Sequence, residues 1–97
     1  MAVGDTVTAW ATKASNATTN VQPGAAIEWL IHTLQSGAGK SMEVYLTEDG
    51  TTFTLVETLT GGSVHGLTWR LTNTFWMQLK NVSGGTAYNG YQGVVTK

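Results

Sequence analysis

Residues 42–50 read Met-Glu-Val-Tyr-Leu-Thr-Glu-Asp-Gly, and apolar and polar side chains alternate along the first six of them. The apolar residues that share one face of this segment are Met42, Val44 and Leu46. Alternation with a period of two is typical of a half-buried β-strand. Asp49-Gly50 favours a tight turn, since these residues tolerate the positive φ of hairpin turns. The sequence therefore predicts a β-hairpin whose return strand spans residues 52–58.

The same alternation continues through most of the chain. It predicts further strands over residues 3–10, 27–34, 64–72, 75–80 and 88–96. Turns are predicted at Gln22-Pro23-Gly24, Gly61-Gly62-Ser63 and Ser83-Gly84-Gly85. Residues 13–20 are small and polar and predict a loop or a weak strand, while residues 37–41 predict a hairpin loop. A helix is the competing interpretation of residues 27–34, but the missing N-cap and Ile31-His32-Thr33 favour a strand.

About seven or eight short strands, with turn signals every 8–12 residues, predict one all-β domain. We expect an antiparallel β-sandwich over residues 1–97, of the jelly-roll or immunoglobulin-like type. Residues 1–12 are expected to form an extended N-terminal arm or an edge strand. No stretch approaches the roughly 20 apolar residues of a membrane helix, so no membrane contact is expected.

The chain is poor in charge: 11% of its 97 residues are charged, where an average domain has about 25%. The net charge is −1, cysteine is absent, and the five basic residues are scattered along the sequence. Nucleic-acid binding requires clustered Lys and Arg, so this partner class is not expected. Neutral polar side chains are easier to desolvate than ions, which favours a surface that contacts other polypeptides. A threonine-rich domain without a special partner is the alternative.

No catalytic, cofactor or metal site is predicted. Residues 37–41, Gly-Ala-Gly-Lys-Ser, resemble part of a phosphate-binding loop, but Leu34 occupies a position that requires glycine. The only histidines are His32 and His65, which are far apart in sequence and have no cysteine or suitably spaced carboxylate to complete a metal site. An enzyme is therefore not expected. The enzymatic alternative is a small hydrolase in which one histidine reaches a Ser, Thr or carboxylate inside a cleft.

The second half of the sequence, with two shorter segments before it, resembles small structural proteins of tailed bacteriophages, in particular capsid decoration (cement) proteins. The segments that carry the resemblance are Asn20–Gly24, Glu43–Thr47, Thr68–Thr74, Leu79–Gly85 and Tyr88–Lys97. The resemblance implies a non-enzymatic virion protein that binds the major capsid protein and copies of itself. It implies a location on the capsid surface after synthesis in the host bacterial cytoplasm.

Two alternatives accompany this interpretation. One is a phage fibre, tail or head–tail component. The other is a carbohydrate-binding module on the virion surface, which binds the sugar rings of a surface glycan on outward-facing aromatic side chains. The candidate platform residues are Trp10, Tyr45, Trp76, Tyr88 and Tyr91.

The contact surface is expected on the N-terminal arm and the C-terminal strand. The arm can extend and donate backbone hydrogen bonds to a foreign sheet edge. The C-terminal strand has two tyrosines and little charge. The predicted interface residues are Val3, Val7, Trp10, Trp76, Tyr88, Tyr91 and Val94.

Overall fold

A computed structural model describes residues 2–97, apart from the side chains at positions 38 and 65. The described residues form six strands joined by turns and loops. In chain order these are β1 (Thr6–Lys13), β2 (Thr18–Val21), β3 (Trp29–Thr47), β4 (Phe53–Leu71), β5 (Trp76–Asn81) and β6 (Ala87–Val95). All pairings between them are antiparallel. No helix long and apolar enough to cross a membrane occurs among residues 2–97.

A long hairpin of β3 and β4 organises the sheet. Each strand has 19 residues, and their register is interrupted between Ser36 and Ser41. The predicted loop at 37–41 and the predicted turn at 61–63 are therefore wrong, because both segments lie within the hairpin. Gly39, Gly61 and Gly62 have φ of 70°, 82° and 78°, which glycine adopts without the steric cost of a side chain. Glycine here produces an irregularity within paired strands.

The interruption divides the hairpin into two halves with different neighbours. Residues 29–36 of β3 pair with β6, which in turn pairs with β1. Residues 42–47 of β3 pair with β5, which in turn pairs with β2. β4 follows β3 on its other side through both halves. Counted by halves, the fold has eight antiparallel segments. The predicted all-β antiparallel sandwich of seven or eight strands is confirmed.

The core receives side chains from all six strands. Val44 of β3 lies opposite Leu79 of β5, and both are fully buried. The largest fully buried apolar residues are Ile31, Leu34, Met42, Leu71, Met77 and Leu79. Such burial contributes roughly 1.5–3 kcal/mol for each large aliphatic side chain, so this cluster is the main stabilising feature of the fold.

The N-terminal strand β1 occupies one edge of the sheet. It pairs with β6 along its whole length, from Thr6 opposite Val94 to Lys13 opposite Ala87. Gly4 N–H donates to Val95 O at 2.8 Å, so the residues just before β1 are also held against β6. The loop or weak strand predicted over residues 13–20 contains the short strand β2 at its end.

Candidate interaction surfaces

Two exposed aromatic rings stack on the outer side of β1 and β6. The rings of Trp10 and Tyr88 have centroids 5.5 Å apart and planes 15° from parallel. Trp10 lies opposite Gly90, and a Cβ at Gly90 would collide with the indole ring. The absence of a side chain there lets the indole lie flat across β6. Because 51% of Trp10 and 49% of Tyr88 remain exposed, this stack is an apolar surface available for contact.

A lysine lies beside β6, the strand that carries Tyr88. Both Lys40 and β6 lie next to Gly37. A Cβ added at Gly37 would be 3.3 Å from Lys40 Cγ and 3.6 Å from the backbone nitrogen of Tyr88. The aliphatic part of Lys40 therefore lies beside the strand that carries Tyr88. Among the described residues, the salt bridge identified joins Lys97 and Glu28 at 3.6 Å and does not involve Lys40. Trp10, Tyr88 and Lys40 together are called the aromatic patch below.

A groove lies at the turn end of the β3–β4 hairpin. Its volume is about 510 Å³, within the roughly 300–1,000 Å³ of typical ligand pockets. Its apolar walls come from Leu46, Val56 and Phe75, and Glu48 and Asp49 of the turn also line it. Val56 lies in the β-bulge of β4, where the pairing with β3 shifts between Val44 and Tyr45, and it is 37% exposed. These residues are called the hairpin groove below.

The acidic turn of this groove has a fixed geometry. Asp49 Oδ1 accepts hydrogen bonds of 2.8 Å from the backbone N–H groups of Thr51 and Thr52. Thr47 Oγ1 accepts a 2.8 Å bond from Gly50 N–H, where φ is 75°. The bonds from Thr52 and Thr51 hold the pKa of Asp49 below its usual value. Asp49 is thus a carboxylate at neutral pH and gives one end of the groove a negative charge.

The structure separates the predicted interface residues into two groups. Val3, Trp10 and Tyr88 are exposed and Val94 is half-buried, so they remain predicted contact residues. The expectation of surface contact is wrong for Val7, Trp76 and Tyr91, which are buried within the chain.

The buried residues have identifiable partners. Val7 belongs to the core. Trp76 packs edge-on against Phe53 at 5.6 Å, and Tyr91 stacks with Trp29 at 6.3 Å. Two of the candidate sugar platforms, Trp76 and Tyr91, are therefore unavailable to a glycan.

Sequence reasoning missed the exposed pair Leu55 and Val56. Leu55 is 48% exposed because β4 is an edge strand and has a bulge at Val56. The signal for Val56 was present. It is the one apolar residue in the outward phase of the predicted return strand, between Thr54 and Thr58.

The described residues contain no group of three or more His, Cys, Asp or Glu side chains placed to hold a metal ion. His32 Nδ1 lies 2.8 Å from Thr33 Oγ1, and Thr33 is buried in the sheet. Neither residue lines the hairpin groove. The side chain of His65, which was the other candidate base of a hydrolase, lies outside the described part of the chain.

Comparison with known proteins points to one fold. No family model matches the chain, and no curated protein matches it. Among solved structures, it is similar to the nucleoplasmin-like N-terminal domain of Drosophila FKBP39, with 11% identity, a TM-score of 0.57 and coverage of 92% of this chain and 88% of that one. The chain has a nucleoplasmin-like fold.

A second similar structure is the NLP core of Drosophila, a protein that forms pentamers and binds histones. Its identity to this chain is 14% and its TM-score 0.51, with coverage of 96% of this chain and 100% of that one.

These similarities correct the predicted function. A capsid decoration protein, with its phage fibre, tail and virion-glycan alternatives, is the wrong interpretation, because the similar structures are nucleoplasmin-like domains. Low charge and alternating strands indicate a β-domain and do not specify a phage head. The major capsid protein has no support as a partner, and the virion location stays a prediction.

Proposed function

We propose that this chain is a non-enzymatic β-domain that assembles with identical copies into a closed ring and serves as a chaperone-like binding scaffold. The observation that carries the proposal is the exposure of Trp10, Tyr88, Leu55 and Val56 on a domain with 11% charged residues. The nucleoplasmin-like fold supports it, since the NLP core forms pentamers.

The exposed area of the aromatic stack indicates that a contact between copies includes further apolar surface. An aromatic side chain buries roughly 150–250 Å², so covering the exposed halves of Trp10 and Tyr88 removes about 200 Å² from water. At about 25 cal/mol per Å² this contributes about 5 kcal/mol. Association costs about 4–15 kcal/mol, so the aromatic stack alone does not hold two copies together. Leu55, Val56 and the hairpin groove are needed as well.

Sedimentation velocity of the purified chain tests the proposal. We expect one oligomeric species that persists when salt is raised, because apolar contacts are not screened by ions. A single species with the mass of one chain across the micromolar range would overturn the proposal. An oligomer that dissociates in moderate salt would also contradict it, because that behaviour indicates charge-driven association.

A second candidate function is the binding of a basic protein, favoured by the carboxylates Glu48 and Asp49 in the hairpin turn. The histone binding of the NLP core supports the same class of partner. Fluorescence anisotropy with labelled core histones measures it. We expect binding that weakens as salt rises and is reduced in Glu48→Gln/Asp49→Asn.

The matched control for that experiment is Glu28→Gln, since Glu28 already pairs with Lys97. Binding that is equal in all three proteins, or absent in all of them, would refute the second candidate. The same variants are examined by sedimentation, so a loss of assembly is distinguished from a loss of histone binding.

A further inference from the structure

The exposed large apolar side chains of the described residues fall into two groups. Val3, Trp10 and Tyr88 lie on or just before β1 and β6, whereas Leu55 and Val56 lie on β4. β6, with β1 beyond it, pairs with one side of β3, and β4 pairs with the other side. The two groups are therefore on opposite flanks of the β3 strand.

This placement bears on the symmetry of self-association. A two-fold dimer uses one self-complementary surface on each copy. A closed ring with head-to-tail contacts uses two different surfaces, each complementary to the other. Two separate apolar groups on opposite flanks fit the second arrangement.

The two surfaces also differ in shape. The Trp10–Tyr88 stack projects from the strands that carry it, with about half of each side chain exposed. The hairpin groove is concave, has a volume of about 510 Å³ and presents Leu46, Val56 and Phe75. A projecting aromatic pair and an apolar concavity of this size can pack together.

The charges of the two surfaces are opposite. Lys40 of the aromatic patch lies beside the backbone of β6 at Tyr88, and Glu48 and Asp49 line the hairpin groove. The salt bridge among the described residues, between Lys97 and Glu28, involves none of these three groups. Opposite charges on the two surfaces favour their contact and disfavour contact between two like surfaces.

We propose that the aromatic patch of one copy seats in the hairpin groove of the next copy. Trp10 and Tyr88 pack against the walls formed by Leu46, Val56 and Phe75, and Lys40 faces the acidic turn. This inference rests on the proposed self-association and names the surfaces that make it.

Two complementary variants test the contact. Trp10→Thr/Tyr88→Thr removes the aromatic stack and keeps the groove, while Val56→Lys places a cation in the groove and keeps the stack. Each variant alone is expected to run as a monomer in native mass spectrometry. The matched control is Thr60→Lys, an exposed position of the same strand outside the groove, and it is expected to assemble like the unaltered chain. Circular dichroism establishes that all three variants are folded.

Mixing the two variants gives the decisive result. Each still has the surface that the other has lost, so an equimolar mixture is expected to form a one-to-one heterodimer and nothing larger. Variants that both assemble like the unaltered chain would overturn the inference while self-association stands. A mixture without heterodimer would also overturn it, and homodimers of either variant alone would indicate contact between like surfaces. An unaltered chain that is itself a monomer would refute the proposed function first.

One further outcome concerns a different occupant of the groove. Val56→Lys that assembles normally but binds core histones at least tenfold more weakly would assign the groove to a basic protein. That result would also overturn the contact between copies.

Discussion

The replacement of Asn81 by alanine tests how the two halves of the sandwich are joined. Asn81 is fully buried, and its side chain takes part in five hydrogen bonds. Nδ2 donates to the carbonyl oxygens of Lys13 at 2.8 Å, Ala14 at 3.2 Å and Gly85 at 2.8 Å. Oδ1 accepts from the Ser83 backbone N–H at 3.0 Å and hydroxyl at 2.7 Å. This side chain therefore connects the end of β1 to β5 and to the loop before β6.

The expected loss of stability follows from these bonds. A buried hydrogen bond contributes about 1 kcal/mol net, and a buried group left without a partner costs about 1–3 kcal/mol. We expect Asn81→Ala to lower the free energy of unfolding by about 4 kcal/mol. That is a large part of the roughly 5–15 kcal/mol of a typical domain, and it corresponds to a fall of about 15 °C or more in Tm.

Urea unfolding followed by tryptophan fluorescence, at one fixed chain concentration, measures the change. Asn81→Asp is expected to be at least as damaging, because a carboxylate keeps the volume but cannot donate to the three carbonyl oxygens. The control is Asn20→Ala, which loses one exposed bond from Gln78 Nε2 and should change stability by less than about 0.5 kcal/mol. A loss below about 1 kcal/mol in Asn81→Ala would refute the reasoning.

Three further predictions concern single positions. Gly93→Ala should destabilise the fold by more than about 3 kcal/mol in thermal unfolding, because the new Cβ collides with the Leu30 carbonyl oxygen. The control Gly85→Ala should leave stability nearly unchanged, because a Cβ at position 85 has no heavy atom within 4 Å. The pKa of Asp49 is lowered in the folded state, so its carboxylate stabilises the fold above the unfolded pKa of about 4, and this stabilisation is lost as pH falls through the folded pKa. Asp49→Asn should therefore flatten the acid side of a plot of unfolding free energy against pH, and an equal slope would contradict this. Burial raises the pKa of Tyr91, because the folded state disfavours the charged phenolate. The contribution of the neutral phenol to stability is therefore fully present below its unfolded pKa of about 10 and is lost as pH rises towards the folded value. In an alkaline absorbance titration, Tyr91→Phe should remove a late-titrating tyrosine, and an unchanged curve would count against its burial.

The central hairpin could be predicted because its signals are local. Alternation placed Met42 and Val44 on the inner face, and Asp49-Gly50 marked the turn, as observed. The full length of the hairpin could not be predicted. The glycines at 61 and 62 favour a turn or an irregularity equally well, and the choice depends on long-range pairing of β3 with β5 and β6.

The contact surface was predicted in part, and the errors have a physical cause. Side chains three positions apart on a regular strand point to opposite faces, so Val7 and Trp10 cannot both be outside, and neither can Tyr88 and Tyr91. This constraint could be derived from the sequence, but the sequence did not show which face of each strand is buried. Trp76 is buried because Phe53 of another strand packs on it, and no local pattern indicates that contact.

The number of copies in the purified assembly tests the central claim most directly. Native mass spectrometry of the unaltered chain, whose mass is 10.3 kDa, gives that number without a shape assumption. A closed ring predicts one stoichiometry that stays fixed as concentration rises. A single chain at every concentration, or a series of sizes that grows with concentration, would contradict the claim.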